Sequence, residues 1–145
     1  RYRFLDGKVV LFDNIDTAFT YLNGETGLFK VVNVPFIDDL DAYCRLASKT
    51  AQEQQAYFTG PLGNDVFQCS PMPWVAYTHI SHTNSGKKDN ATPLFDWGKY
   101  QKKDGKNVMP LSVQAHHSFV DGLHIGQFAE RLQEFLNSKG GPHPW

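Results

Sequence analysis

His116-His117-Ser118-Phe119-Val120-Asp121-Gly122 sets two adjacent imidazoles ahead of an Asp-Gly step. Upstream, Pro110-Leu111-Ser112-Val113-Gln114-Ala115 alternates Val113 and Ala115 as a short strand would. Downstream, apolar residues recur at helical spacing. The histidines therefore belong to a strand-to-helix junction, where the positive end of the helix dipole disfavours added positive charge and suits a neutral imidazole. A neutral imidazole can take a proton from a hydroxyl, so acyl transfer is the first reaction to consider. Each residue also has a purely structural use. Asp121 can serve as a helix N-cap, and His117 as a hydrogen-bonded structural histidine. The order of the residues, between a strand and a helix, favours a site.

The elements that must position this run are those of a mixed α+β domain, a mostly antiparallel or mixed sheet packed with helices. Arg1 to Phe12 reads as a hairpin turning at Asp6-Gly7. Ala18 to Leu22 and Leu28 to Val32 read as strands, separated by Asn23-Gly24. A first helix is predicted from near Asp38 to about Gln55, with Leu40, Tyr43, Leu46, Ala47 and Ala51 on one face. Residues 58–65 read as a loop. An extended region follows from Val66 to His82, with Pro71 and Pro73 arguing for an edge, bulge or bend. Residues 85–90 read as a polar turn. Strands near Pro93–Trp97 and Val108–Ala115 bracket a hairpin loop over Lys102–Lys106. A last helix from about Gly122 to Ser138 is expected to bury Ile125, Phe128, Leu132, Phe135 and Leu136.

The 145 residues amount to one domain, 41% hydrophobic and 20% charged, with a formal net charge of −1 that points to neither nucleic acid nor an acidic membrane. No apolar run is long enough to span a bilayer. The two cysteines make no metal spacing, and reduced thiols in a cytoplasmic protein are the simpler reading. His79 and His82 invite a metal, but i and i+3 point to opposite faces of a strand, so no metal is expected.

The stretches Lys99-Tyr100-Gln101, Met109 to Gln114, His116-His117 through Asp121-Gly122, and then His124 and Phe128 resemble the chloramphenicol acetyltransferases. The wider superfamily, including dihydrolipoyl acyltransferases, shares the shorter His-x-x-x-Asp-Gly signature. The resemblance covers nearly the whole chain and implies a two-layer sandwich that transfers an acetyl group from acetyl-CoA to a small hydroxylated acceptor such as chloramphenicol. It implies His117 as general base, with His116 in a structural role. Ser70 becomes the oxyanion donor, and Asp121 orients the site by pairing with an arginine near the N-terminus of the family. It implies Phe29 and Phe58 as aromatic walls of the acceptor pocket and Tyr100 beside the CoA tunnel. Lys99 is better read as a solvated lysine. A homotrimer with interfacial sites is implied as well. Against the family, the chain looks like the larger C-terminal part. It opens on Arg1-Tyr2-Arg3-Phe4 without an initiator Met, so the domain is assigned to 1–139, lacking its N-terminal part and the arginine partner of Asp121. Residues 140–145 read as a loose tail.

The departures from the family fall on the acceptor side. Residues 76–84 are more polar than the usual Phe-, Ser- and Leu-rich run, which makes Ile80 and His82 candidate acceptor contacts. Asp96 stands where a small hydroxyl or apolar residue is expected. Two alternatives stay open: an acyltransferase for another small acceptor, and an inactive trimeric ligand-binding homologue.

Overall fold

A computed structural model describes residues 1–82 and 89–139. Strands β1 (Tyr2–Leu5) and β2 (Lys8–Leu11) form an antiparallel hairpin. Its two-residue turn has positive φ at both Asp6 (49°) and Gly7 (72°), the backbone that a two-residue hairpin turn requires and Asp-Gly supplies. The main sheet is built from β3 (Asp16–Leu22), β4 (Phe29–Val34), β5 (Val66–Cys69), β6 (Leu94–Trp97) and β9 (Leu111–Gln114), in the spatial order β4-β3-β5-β6-β9. Its edge pairings, β3 with β4 and β6 with β9, are antiparallel; β5 pairs in parallel with both β3 and β6. The sheet is thus mixed, antiparallel only towards its edges.

Helix α1 (Leu40–Glu53) begins on Asp39, whose side chain accepts from the Ala42 N–H at 2.6 Å, a capping bond that satisfies one of the helix's orphan donors. Its apolar face covers β3 and β4. Val32, Val34 and Ala51 are buried, with Phe19, Tyr43, Leu46 and Ala47 packed around them. At the other end of α1, the buried Lys30 donates its ammonium to the Gln54 carbonyl. A cation is favourable where the helix dipole is negative. The Gln54 side chain bonds the Val31 and Ala56 carbonyls at 2.8 and 2.9 Å, fastening the helix end to β4.

The structure differs from the sequence expectations in two of the extended segments. Only Val66–Cys69 of the extended region is a strand. Pro71 and Pro73 cannot donate ladder hydrogen bonds, and past Ser70 the described backbone is tied to β6 and the residues just after it by isolated bonds. The Met72 N–H donates to the Trp97 carbonyl at 2.8 Å, and the Lys99 N–H to the Val75 carbonyl at 2.8 Å. The expected strand Val108–Ala115 is divided. β7 (Gln101–Lys103) and β8 (Lys106–Val108) form their own ribbon around a second positive-φ turn, Asp104-Gly105, and β9 starts after Pro110. Pro110 has no N–H to pair, and its carbonyl is taken by the Gly98 N–H at 3.1 Å.

Helix α2 (Gly122–Lys139) has the expected bounds, but none of its residues is buried. Ile125, Phe128 and Leu132 are half-buried, whereas Phe135 and Leu136 are exposed. The helix rises about 27 Å, against about 13 Å for the four-residue strands it meets. It touches the sheet through Phe128 against Phe95, 5.5 Å between ring centroids, and its last turns, with Phe135 and Leu136, are exposed. No helix among the described residues is long and apolar enough to cross a membrane. The polar turn over 85–90 falls mostly outside the described residues, and the tail 140–145 wholly so.

Candidate functional site

Strand alternation divides the candidate residues between the two faces of the sheet. Registers Phe19↔Cys69, Cys69↔Phe95 and Phe95↔Val113 put these four on the helix-covered face. Asp96, paired with Ser112, therefore lies on the opposite face, as does Ser70, the residue after Cys69. Ser70 sits level with β6 because its N–H donates to the Phe95 carbonyl at 2.9 Å. It is half-buried, and no bond to its hydroxyl occurs among the described residues. That leaves a hydroxyl donor free at the carboxyl ends of the parallel strands β5 and β6, where ligands commonly bind in open sheets.

Beside it, the segment after Ser70 forms a wall. Trp74 meets Phe29 edge-on, with centroids 6.0 Å apart, and both rings are exposed. The Tyr77 hydroxyl donates to the Asp96 carbonyl at 2.8 Å. Burial, and then the Asp96 charge, raises that hydroxyl above the ordinary tyrosine range, which keeps it a donor. His82 Nε2 lies 2.9 Å from Asp96 Oδ2, and the Asp96 side chain is completely buried. The wall can lie this close only because residue 98 is Gly. A Cβ there would stand 2.5 Å from the Val75 carbonyl oxygen and 3.0 Å from the Tyr77 ring. The thiol of Cys69 on the other face is pushed up to about 11, first by burial and then by the Asp96 charge.

The other sequence candidates are spread more widely. Phe58 packs edge-on against Tyr57 at 4.7 Å and is exposed. Its loop is held to the free edge of β4 by the Val31 N–H donating to the Tyr57 carbonyl. Ile80 is half-buried within the wall segment. Tyr100 is 65% exposed just ahead of β7. His79 is exposed while His82 turns to Asp96. The 71–82 segment is not a strand, so the opposite-face argument about these two histidines does not apply; among the described residues no cluster of three or more ligating side chains occurs.

The His116-His117 run is held by the first hairpin. Phe4 packs against both His116 (5.3 Å) and Phe119 (4.7 Å), and Tyr2 stacks on Phe119 at 5.7 Å. His116 Nδ1 accepts the Ser118 N–H at 3.2 Å, and its carbonyl takes the N–H groups of Phe119 and Val120. These contacts give His116 a structural part and shape the turn that displays its neighbour. The hairpin itself is anchored by buried Arg3, which donates to the Val66 carbonyl at 2.6 Å. Burial lowers that guanidinium, with Asp65 acting in the opposite sense.

His117 is exposed, with no hydrogen bond to its ring among the described residues. Asp121 caps α2: Oδ1 accepts from the Leu123 and His124 N–H groups at 3.0 and 3.2 Å and lies 2.8 Å from His124 Nδ1. Those bonds, the His124 N–H foremost, hold its carboxyl below the usual range. Among the described residues its ion-pair partner is His124, not an arginine.

One chain does not bring His117 to Ser70. Because β9 runs antiparallel to β6, the chain after Gln114 heads for the beginnings of β6 and β5. There Arg3 and Phe4 meet Val66 and His116. Val66 and Ser70 are four residues apart along extended backbone, about 13 Å. The exposed imidazole and the free hydroxyl therefore stand at opposite ends of the sheet. Sequence reasoning singled out both residues and the 76–84 run that contains Tyr77, but not Trp74 or Gly98 as parts of the wall. Asp96 was legible only as an ill-fitting residue.

A family model described as chloramphenicol acetyltransferase matches residues 1–133. Chloramphenicol acetyltransferase 3 of Escherichia coli is 29% identical over 138 residues, covering 92% of this chain and 65% of that protein. Chloramphenicol acetyltransferase 2 of Haemophilus influenzae is 29% identical over 132 residues, covering 88% and 62%. The chain thus spans about 65% of the length of the first of these relatives. A solved chloramphenicol acetyltransferase superposes with a TM-score of 0.83 at 28% identity, over 94% of this chain and 68% of that one. A probable dihydrolipoamide acetyltransferase from Listeria monocytogenes shares the fold, with a TM-score of 0.61 at 15% identity, over 99% of this chain and 64% of that one. With the family match running from the hairpin that holds His116 into the helix capped by Asp121, the chain belongs to the chloramphenicol acetyltransferase family.

Proposed function

We propose that the protein moves an acetyl group from acetyl-CoA to the hydroxyl of a small acceptor, chloramphenicol being the first candidate, at sites shared between copies of a cytoplasmic homotrimer. His117 takes the hydroxyl proton as the oxygen attacks the thioester carbonyl. The Ser70 hydroxyl donates to the tetrahedral oxyanion. Collapse breaks the C–S bond, the His117 imidazolium returns its proton to the departing thiolate, and the products are the acetyl ester and CoA. Phe29, Phe58, Ile80 and His82 line the acceptor side, Tyr100 borders the CoA side, and no metal takes part. Asp121 acts on the turn that carries His117 by capping α2. Acetylating the drug would make the protein an antibiotic-resistance enzyme.

The observation carrying this reading is that His117 is exposed and the Ser70 hydroxyl half-buried, both side chains without a hydrogen bond among the described residues, at opposite ends of the sheet, Ser70 standing about 13 Å along it from Val66. Each is half of an acyl-transfer site, and a closed ring of copies puts one half against the next copy's other half. The test mixes intact His117→Ala and Ser70→Ala chains, denatured and refolded together, and follows CoA release from acetyl-CoA with chloramphenicol. Neither variant alone should turn over at more than a trace. In random rings about one quarter of the interfaces pair an intact His117 with an intact Ser70, so about that share of wild-type activity returns. No recovery in mixed rings would overturn the shared site. A ring that binds chloramphenicol without CoA release, in wild type as in the variants, would establish the inactive ligand-binding homologue instead.

A further inference from the structure

Asp96 is a carboxylate with no solvent exposure, placed on the sheet face and at the level of Ser70. Its two oxygens are treated differently. Oδ2 is held by His82 Nε2 at 2.9 Å, while Oδ1 is buried with no hydrogen-bond partner among the described residues. An unmade hydrogen bond at a buried carboxylate is among the costliest features of a protein interior, and the great majority of such atoms are satisfied. The surroundings do not relieve it. The Tyr77 hydroxyl is spent on the Asp96 carbonyl, not on the carboxylate.

His82 completes the arrangement. Opposite a carboxylate, which accepts, the Nε2 side of the His82 ring is the donor of the shared bond. The His82 side chain remains 32% exposed while Asp96 is fully covered, so an acceptor meets His82 first and reaches Oδ1 by displacing its cover. A buried carboxylate with one oxygen unpartnered among the described residues, its other oxygen held by a partly exposed imidazole, therefore stands level with Ser70.

We propose that the His82–Asp96 pair is a specificity element that recognises an acceptor alcohol through a protonated amine, a charged hydrogen-bond donor supplied to Asp96 Oδ1. Asp96 receives the donor; His82 positions the carboxylate and excludes water from it. The inference rests on the acetyltransferase reading and names the acceptor class of that same site. An acceptor whose corresponding position carries no strong donor leaves Oδ1 orphaned and is selected against, because a site built to take a hydrogen bond rejects the partner that lacks one.

Two probes separate the cases: chloramphenicol, and the aminodiol left when its dichloroacetyl group is removed, which replaces an amide with an ammonium. On the intact protein, kcat/KM is measured for each by CoA release, and binding of each is measured by calorimetry without acetyl-CoA. Wild type should favour the aminodiol by tenfold or more in kcat/KM, mostly through KM. Asp96→Asn, which keeps the shape and removes the charge, should collapse that ratio, as should His82→Gln more weakly. An unchanged ratio, or aminodiol binding that Asp96→Asn leaves intact, overturns the proposal. Thermal melts identify a variant that fails to fold, in which case the other variant decides. Absence of CoA release from wild type with either probe sinks the acetyltransferase reading alone, and the calorimetric comparison still decides for or against the His82–Asp96 site.

Discussion

Replacing Gly98 by Ala adds a single methyl group where the wall segment crosses β6. The new Cβ would lie 2.5 Å from the Val75 carbonyl oxygen, 2.9 Å from Pro110 Cγ and 3.0 Å from Tyr77 Cδ1. Backbone and a proline ring cannot swing aside as a long side chain can, so the wall itself has to move. Overfilling a packed site of this kind costs about 1–3 kcal/mol. Lifting the wall also stretches the bonds from the Lys99 N–H to the Val75 carbonyl and from the Met72 N–H to the Trp97 carbonyl, each worth about 0.5–1.5 kcal/mol. Together the loss is about 2–6 kcal/mol of unfolding free energy. Urea unfolding of the intact protein measures it, with Gly126→Ala beside it as a control. Gly126 lies in α2 with nothing within 4 Å of its virtual Cβ, so the same methyl there should stabilise by about 0.5–1 kcal/mol. If Gly98→Ala unfolds within about 0.5 kcal/mol of wild type, as ordinary surface changes do, the wall is not pinned at this point and the account of the acceptor side is wrong.

Ser70→Ala should lower kcat by about 10²–10³ while leaving the melting temperature unchanged, since its hydroxyl makes no bond among the described residues; a matching loss of stability would instead assign Ser70 a structural part. The Cys69 thiol, raised from 9.0 to about 11 in the folded chain, stays protonated where the unfolded thiol ionises. Its contribution to stability is whole below pH 9.0 and falls away as pH climbs through about 11. Thermal melts between those limits should decline more steeply for wild type than for Cys69→Ala, and parallel curves would contradict the shift. Asp121 runs the other way, its carboxyl held below 3.8 in the folded state. Its capping bonds should stabilise above that pH and be lost as pH falls further, so Asp121→Ala should flatten the acid limb of the stability curve. An acid limb as steep as wild type's would mean that the cap contributes nothing.

Local chemistry was legible where one residue type answers one backbone demand. Asp6-Gly7 could be read as a hairpin turn because positive φ at two successive residues is cheap for little else. The start of α1 was readable because a carboxylate at Asp39 satisfies an N–H that the helix leaves bare. The His116-His117 junction was visible because a period-2 strand gives way there to a period-3.6 helix. Asp121 carried both of its readings openly; the structure displays the capping one.

What lay beyond the sequence depends on which strands become neighbours. Periodicity says that α2 has an apolar face but not what lies under each turn of it, so the expected burial of Phe135 and Leu136 does not follow from the pattern, and both are exposed. Nothing in the residues around Asp96 announces a partner in His82, fourteen positions away, because that contact arises only once the wall folds across β6. The sequence by itself determined the chemical types present: paired imidazoles, a serine hydroxyl, a helix-capping carboxylate and the turns between them. Only the tertiary structure decided which residues meet. The registers of β5, β6 and β9 set Ser70 beside Asp96 and send His117 to the far end of the sheet. Strand order and direction are long-range choices, fixed by the packing of whole faces and not by any residue's own preference.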